Sequence, residues 1–205
     1  MDIIYLSILA MVLVSSVSLY IGRECNDDMF WWFGWAFMFF AISRSVNTHF
    51  VISPFAIFDL RLFAVLLLYG VGSVALVAGA INGRRRYKET PFVMFAAIVV
   101  SAVVSAFDYE SSTYPFAFAV FVGGFTAAFF LSNRTGEPCS LWYWLLGLSL
   151  FARGCIALFA ATMTRYEIDL VSADVMVADL LSLFVILAFT IRLSMCRLKS
   201  RSCEE

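Results

Sequence analysis

Charge is what this chain has least of. Asp, Glu, Lys and Arg make up 14% of the 205 residues, against about 25% in an ordinary soluble domain. The shortage is matched by a hydrophobic content of 62% and a mean hydropathy of +0.91, which excludes a water-soluble enzyme. The formal net charge is −1 and the bases sit in short clusters, so the surface carries no stripe that would follow a nucleic acid backbone. Histidine is nearly absent. A metal hydrolase working inside a membrane needs several His or acidic ligands, and His49 alone does not supply them. Lysine is as scarce: Lys88 and Lys199 fall in a loop and a tail, so no lysine within the last helix is placed to form a retinal Schiff base. There is no phosphate-cradling glycine loop, no zinc spacing and no nucleophile beside a histidine. An enzyme is not expected, and neither is a metal or a cofactor.

What the chain has in abundance is long apolar runs. A bilayer core of ~30 Å takes ~20 helical residues to cross, and seven runs of that order lie at 3–22, 29–48, 58–82, 90–107, 114–132, 141–163 and 174–196. The runs are continuous rather than alternating, which favours helices over a barrel. They predict an all-α integral membrane protein: a seven-helix bundle over 1–196 with a short basic tail at 197–205. The first run opens Met1-Asp2 with no basic stretch before it, so it reads as a span rather than a secretory leader. Asp108 to Thr113 forms a polar turn, with Pro115 just inside the next helix.

Basic residues near span ends stay on the cytoplasmic side. Placing Arg84, Arg85, Arg86 and Lys88 inside also brings in Arg23, Arg134, Arg197, Lys199 and Arg201, leaving Arg44, Arg61 and Arg165 on the other side. The amino terminus is then outside and the carboxyl terminus cytoplasmic. Trp31, Trp32, Trp35, Trp142 and Trp144 gather at the inner ends of the second and sixth spans, as an aromatic belt would. Cys25, Cys139, Cys196 and Cys203 fall on the reducing side and Cys155 within a helix, so no structural disulfide is expected. The outer loops carry Asp108, Glu110, Glu167, Asp169 and Asp174, without the Asp-x-Asp spacing that would hold a metal.

A charge within a span costs roughly 2.5–3.5 kcal/mol and therefore calls for a partner or a cavity. Arg153 lies within the sixth span and Asp179 about a turn and a half into the seventh. These antiparallel neighbours predict an ion pair between them. Arg44 near the outer end of the second span, and Asp59 and Arg61 at the start of the third, reach the same depth, with His49 between them. Two readings stay open. In one, Arg44, His49, Asp59, Arg61, Arg153 and Asp179 line an outward pocket that takes an anionic headgroup or carboxylate. In the other, Arg153 and Asp179 merely lock two helices while Arg44 and Arg61 snorkel to the interface.

Small residues recur four apart at Ala75, Gly79 and Gly83, at Ala97, Ser101 and Ser105, and at Ala119, Gly123 and Ala127. Such stripes let helices pack closely, within one bundle or in a homo-oligomer. Phe116, Phe118, Phe121, Phe125, Phe129 and Phe130 in the fifth span read as lipid-facing bulk.

The layout, with its short loops and a last helix running Leu183-Phe184-Val185-Ile186-Leu187-Ala188-Phe189-Thr190-Ile191-Arg192-Leu193 into a basic stretch, resembles the seven-helix membrane sensor modules of bacterial signalling proteins. These precede diguanylate cyclase or histidine kinase domains and include the receptors with diverse intracellular signalling modules. The resemblance is architectural and implies no binding residues. Those proteins continue into an output domain, whereas this sequence stops at Glu205, which implies a separate signalling partner or a likeness of topology alone. The expectation is a receptor-like sensor in a bacterial inner membrane, detecting a small molecule or the membrane state from outside. Its partners would be membrane lipids, a small-molecule ligand and a signalling protein. The alternatives are a transporter or channel component and a structural or assembly subunit.

Overall fold

The computed structural model describes residues 3–49, 60–81, 89–107, 113–134, 139–165 and 171–201. Among the described residues there are seven helices and no strand: α1 (Ile3–Glu24), α2 (Asp28–His49), α3 (Leu60–Ile81), α4 (Thr90–Phe107), α5 (Thr113–Ser132), α6 (Ser140–Arg165) and α7 (Val171–Arg201). Each begins and ends within a few residues of an apolar run. The largest departure is α7, which passes the expected boundary at 196 and stays helical to Arg201. Bases in the last turns of a helix interact favourably with its C-terminal dipole, and Arg197 also finds a carboxylate partner in Asp27.

Four stretches are long and apolar enough to cross a bilayer: Ile3–Glu24, Phe63–Ile81, Ser140–Phe159 and Val175–Lys199. The apolar stretches Thr90–Val100 of α4 and Val120–Ser132 of α5 are shorter. The helix α2 is 22 residues long but carries Asp28, Arg44 and three tryptophans, which lower its hydropathy.

Contacts run from α1 to α2, α3, α5, α6 and α7 and back to α1, closing a ring, while α4 packs chiefly on α3 from outside it. We call the end where α1 and α7 begin the upper end, and the end holding the α1–α2 turn the lower end. One face of α1 is buried through Ser7, Ala10, Met11, Val14, Ser15, Ser18, Ile21 and Gly22, a spacing of three and four that points a single stripe inward. The Ser15 hydroxyl in that stripe donates to the Gly34 carbonyl at 2.8 Å, tying α1 to α2. On α2, Phe30, Phe33, Phe37 and Phe40 supply the bulk of the core.

Helices α5 and α6 approach closely through glycines. A Cβ on Gly124 would stand 2.5 Å from the Leu150 carbonyl oxygen, and one on Gly154 would stand 3.0 Å from the Phe121 Cα. The small-residue stripes serve this kind of packing inside the bundle: Gly79 lies against Phe33, Gly123 against Ser73, and Ala75 and Ala127 are buried. Gly83 and the side chains of Ala97, Ser101, Ser105 and Ala119 lie outside the described residues. Of the α5 phenylalanines, Phe125 and Phe129 face outward as expected, but Phe130 is buried and Phe121 packs on Phe151 of α6. Phe116 and Phe118 have side chains outside the described residues.

Candidate functional site

At the upper end one carboxylate gathers three helices around it. Asp179 of α7 accepts from Arg44 of α2 at 2.6 Å and from Ser7 of α1 at 3.3 Å on Oδ2, and from the Arg153 Nε of α6 at 3.1 Å on Oδ1. The anticipated pairing of Arg153 with Asp179 is present, and Arg44 joins it. The side chains of Arg153, Asp179 and Arg44 are only 6%, 14% and 20% exposed, so the contacts form away from water, where charge-assisted hydrogen bonds are strongest.

Local sequence explains the convergence. Phe33, Phe37, Phe40 and Arg44 recur at three and four residues and so share one face of α2. That face brings the Phe37 and Phe40 rings to 5.5 and 5.3 Å from the Arg153 guanidinium, a cation–π seat that fixes its plane. Phe40 in turn packs on Tyr69 of α3, with ring centroids 5.2 Å apart. Gly72 permits this, since a Cβ there would meet the Phe40 ring at 2.7 Å. The Ser43 hydroxyl donates to the Val65 carbonyl at 2.9 Å and holds α2 on α3 at the same depth.

Of the residues singled out from the sequence, the structure brings Arg44, Arg153 and Asp179 together. Asp59 lies outside the described residues, as do the side chains of His49 and Arg61. Ser7, Phe37, Phe40 and Tyr69 were not foreseen. Ser7 carried a weak signal as a polar residue in an apolar first span, but the aromatics carried none, because phenylalanine is everywhere in this chain. The cluster sets two guanidiniums against one carboxylate among the described side chains.

A second polar cluster lies at the lower end. Arg197 of α7 pairs with Asp27 in the α1–α2 turn, and the other Asp27 oxygen caps α2 by accepting from the Met29 amide at 3.0 Å. The Tyr143 ring of α6 has the Arg134 guanidinium 4.9 Å and the Arg197 guanidinium 5.9 Å from its centroid. Arg134 also donates to the Ala80 carbonyl of α3 at 3.4 Å.

Beside this cluster Cys139 and Cys196 are joined in a disulfide with Cα atoms 6.0 Å apart, contrary to the expectation that no disulfide forms. The expectation rested on the compartment implied by the basic residues. Compartment says nothing about reach, and antiparallel packing sets the start of α6 beside the last turns of α7. Cys25, which is buried, and Cys155, which is half-buried, are not part of a disulfide.

Among the described residues no group of His, Cys, Asp and Glu is arranged to hold a metal ion. An outward groove between α5 and α6, with a volume of ≈ 260 Å³, is walled mainly by Phe125, Phe129, Trp144, Leu148 and Phe151, with Ser132 at its edge. Comparison with protein-family models, with characterised proteins and with solved structures finds no match.

Proposed function

We propose that this chain is a receptor-like sensor of a bacterial inner membrane, with its upper end outward, and that the Asp179 cluster is the element that responds. The observation carrying this reading is that one α7 carboxylate holds side chains of α1, α2 and α6, while α7 itself runs unbroken for 31 residues to the lower end. An anionic small molecule or headgroup that competes with Asp179 for Arg44 and Arg153 would free α7 from its neighbours in one step. A continuous helix then shifts as a unit and carries the change to the other side, where a separate signalling protein reads it. The seven-helix layout and the concentration of bases at the lower end support the same orientation.

The test is capture of the intact protein in native nanodiscs, followed by mass spectrometry of bound lipids, small molecules and proteins, for wild type and Arg153→Ala side by side. A ligand or signalling protein retained by wild type and lost from the variant is the expected result. Identical inventories from the two, with the variant folded, would overturn the reading.

A further inference from the structure

The disulfide stands where the proposed orientation puts a reducing environment, and that conflict is informative. Among the described residues the lower end carries Arg23, Arg134, Arg197 and Lys199, the side that basic residues mark as cytoplasmic. Disulfides of cytosolic faces are as a rule transient and regulatory, because thiol reductants keep resting cysteines reduced. Cys139 sits just ahead of α6, and its carbonyl accepts from the Trp142 and Tyr143 amides. A thiolate in that position gains from the partial positive charge of the helix N-terminus, which favours the nucleophile that exchange requires. Cys139 also holds a φ of 74°, a left-handed backbone that a side chain rarely adopts and that its surroundings must enforce.

We infer that Cys139 and Cys196 form a reversible thiol–disulfide site that governs how firmly the lower end of α7 is held on α6. In the oxidised form the bond supplements the contacts Arg197 makes with Asp27 and Tyr143. In the reduced form those noncovalent contacts remain and Cys139 is no longer bound to leave its backbone left-handed. Reduction consumes two equivalents of a low-molecular-weight thiol: the first attacks the disulfide and forms a mixed disulfide, the second releases it, yielding two protein thiols and one oxidised reductant. Oxidation by a peroxide proceeds through the Cys139 thiolate, which takes the distal oxygen and expels hydroxide. The Cys196 thiol then attacks the resulting sulfenic sulfur and releases water.

The site acts on the same helix as the Asp179 cluster and rests on the proposed reading only for which side of the membrane the lower end faces. Differential alkylation of the wild-type chain in intact cells, quenched in acid and read by peptide mass spectrometry, requires no substitution that could disturb folding. At rest Cys139 and Cys196 are expected as thiols in most copies, beyond the reach of a membrane-impermeant maleimide. A pulse of hydrogen peroxide should convert them to the cross-linked peptide, with reversal once the peroxide is consumed. A cross-link present in every copy throughout would overturn the inference and mark a fixed structural bond. Thiols shielded from the impermeant reagent that never join under peroxide would overturn it while leaving the orientation intact. Thiols labelled from outside would remove both. In nanodiscs, hydrogen exchange over residues 193–201 should be several-fold faster with reductant than without; equal rates would show that the bond does not govern α7.

Discussion

The two ends of the bundle are held by different chemistry. Among the described residues the polar ties of α7 at the upper end are noncovalent, running through Asp179 to Arg44, Arg153 and Ser7. At the lower end it is tied by a covalent bond, Cys139 to Cys196, beside one ion pair, Arg197 to Asp27. A noncovalent joint in a dry environment can be opened by a competing ion, whereas a disulfide answers only to a redox partner. On the proposed reading the two ends of one helix respond to different inputs, and substitutions at each should separate them.

The largest effect is expected from Asp179→Ala, which leaves two buried guanidiniums facing each other without their shared carboxylate. Loss of one partner of a buried pair costs about 3–5 kcal/mol, so the thermal transition of the detergent-solubilised protein, followed by tryptophan fluorescence, should fall by many degrees. A transition within a degree of wild type would show that the upper joint carries no energy. At the other end, Cys196→Ser should lower the stability of the oxidised protein by about 2–4 kcal/mol and leave the reduced protein unchanged. A loss seen equally under reductant would mean that the serine disturbs packing and that the bond contributes little.

Between the ends, Gly124→Ala sets a Cβ against a backbone oxygen, which gives way less easily than a side chain, and should cost about 1–3 kcal/mol. Because it separates α5 from α6 without touching α7, redox dependence should be retained in full. Trp144→Ala is the control: its side chain is 48% exposed on the outer wall of α6, and the expected change is below about 0.5 kcal/mol. A larger loss would place energy in the aromatic groove that the comparison of the two ends assigns elsewhere.

Much of the fold was legible because lipid imposes a length and forbids unpaired backbone, so continuous apolar runs mark helices almost residue by residue. The same economy made the pair of Arg153 and Asp179 legible, since a charge in a span must be met by another. What could not be read was the rotation of each helix about its own axis. The helices are apolar nearly all round, so nothing in α2 announced that Phe37 and Phe40, rather than Phe39, would seat Arg153, nor in α3 that Tyr69 would pack on Phe40. The lower cluster was hidden for a related reason. Asp27, Tyr143 and Arg197 lie on three separate elements, and Cys139 and Cys196 are 57 residues apart, so their meeting follows only once α6 is known to lie against α7 with both lower ends level.

On the proposed reading, the Asp179 joint at one end of α7 sets the behaviour of the other. Hydrogen exchange of the reduced protein in nanodiscs, comparing wild type with Asp179→Asn, tests it most directly. The account predicts faster exchange both around Asp179 and across residues 193–201 at the lower end of α7; a change confined to the upper halves of α1, α2, α6 and α7, with 193–201 identical in the two proteins, would contradict it.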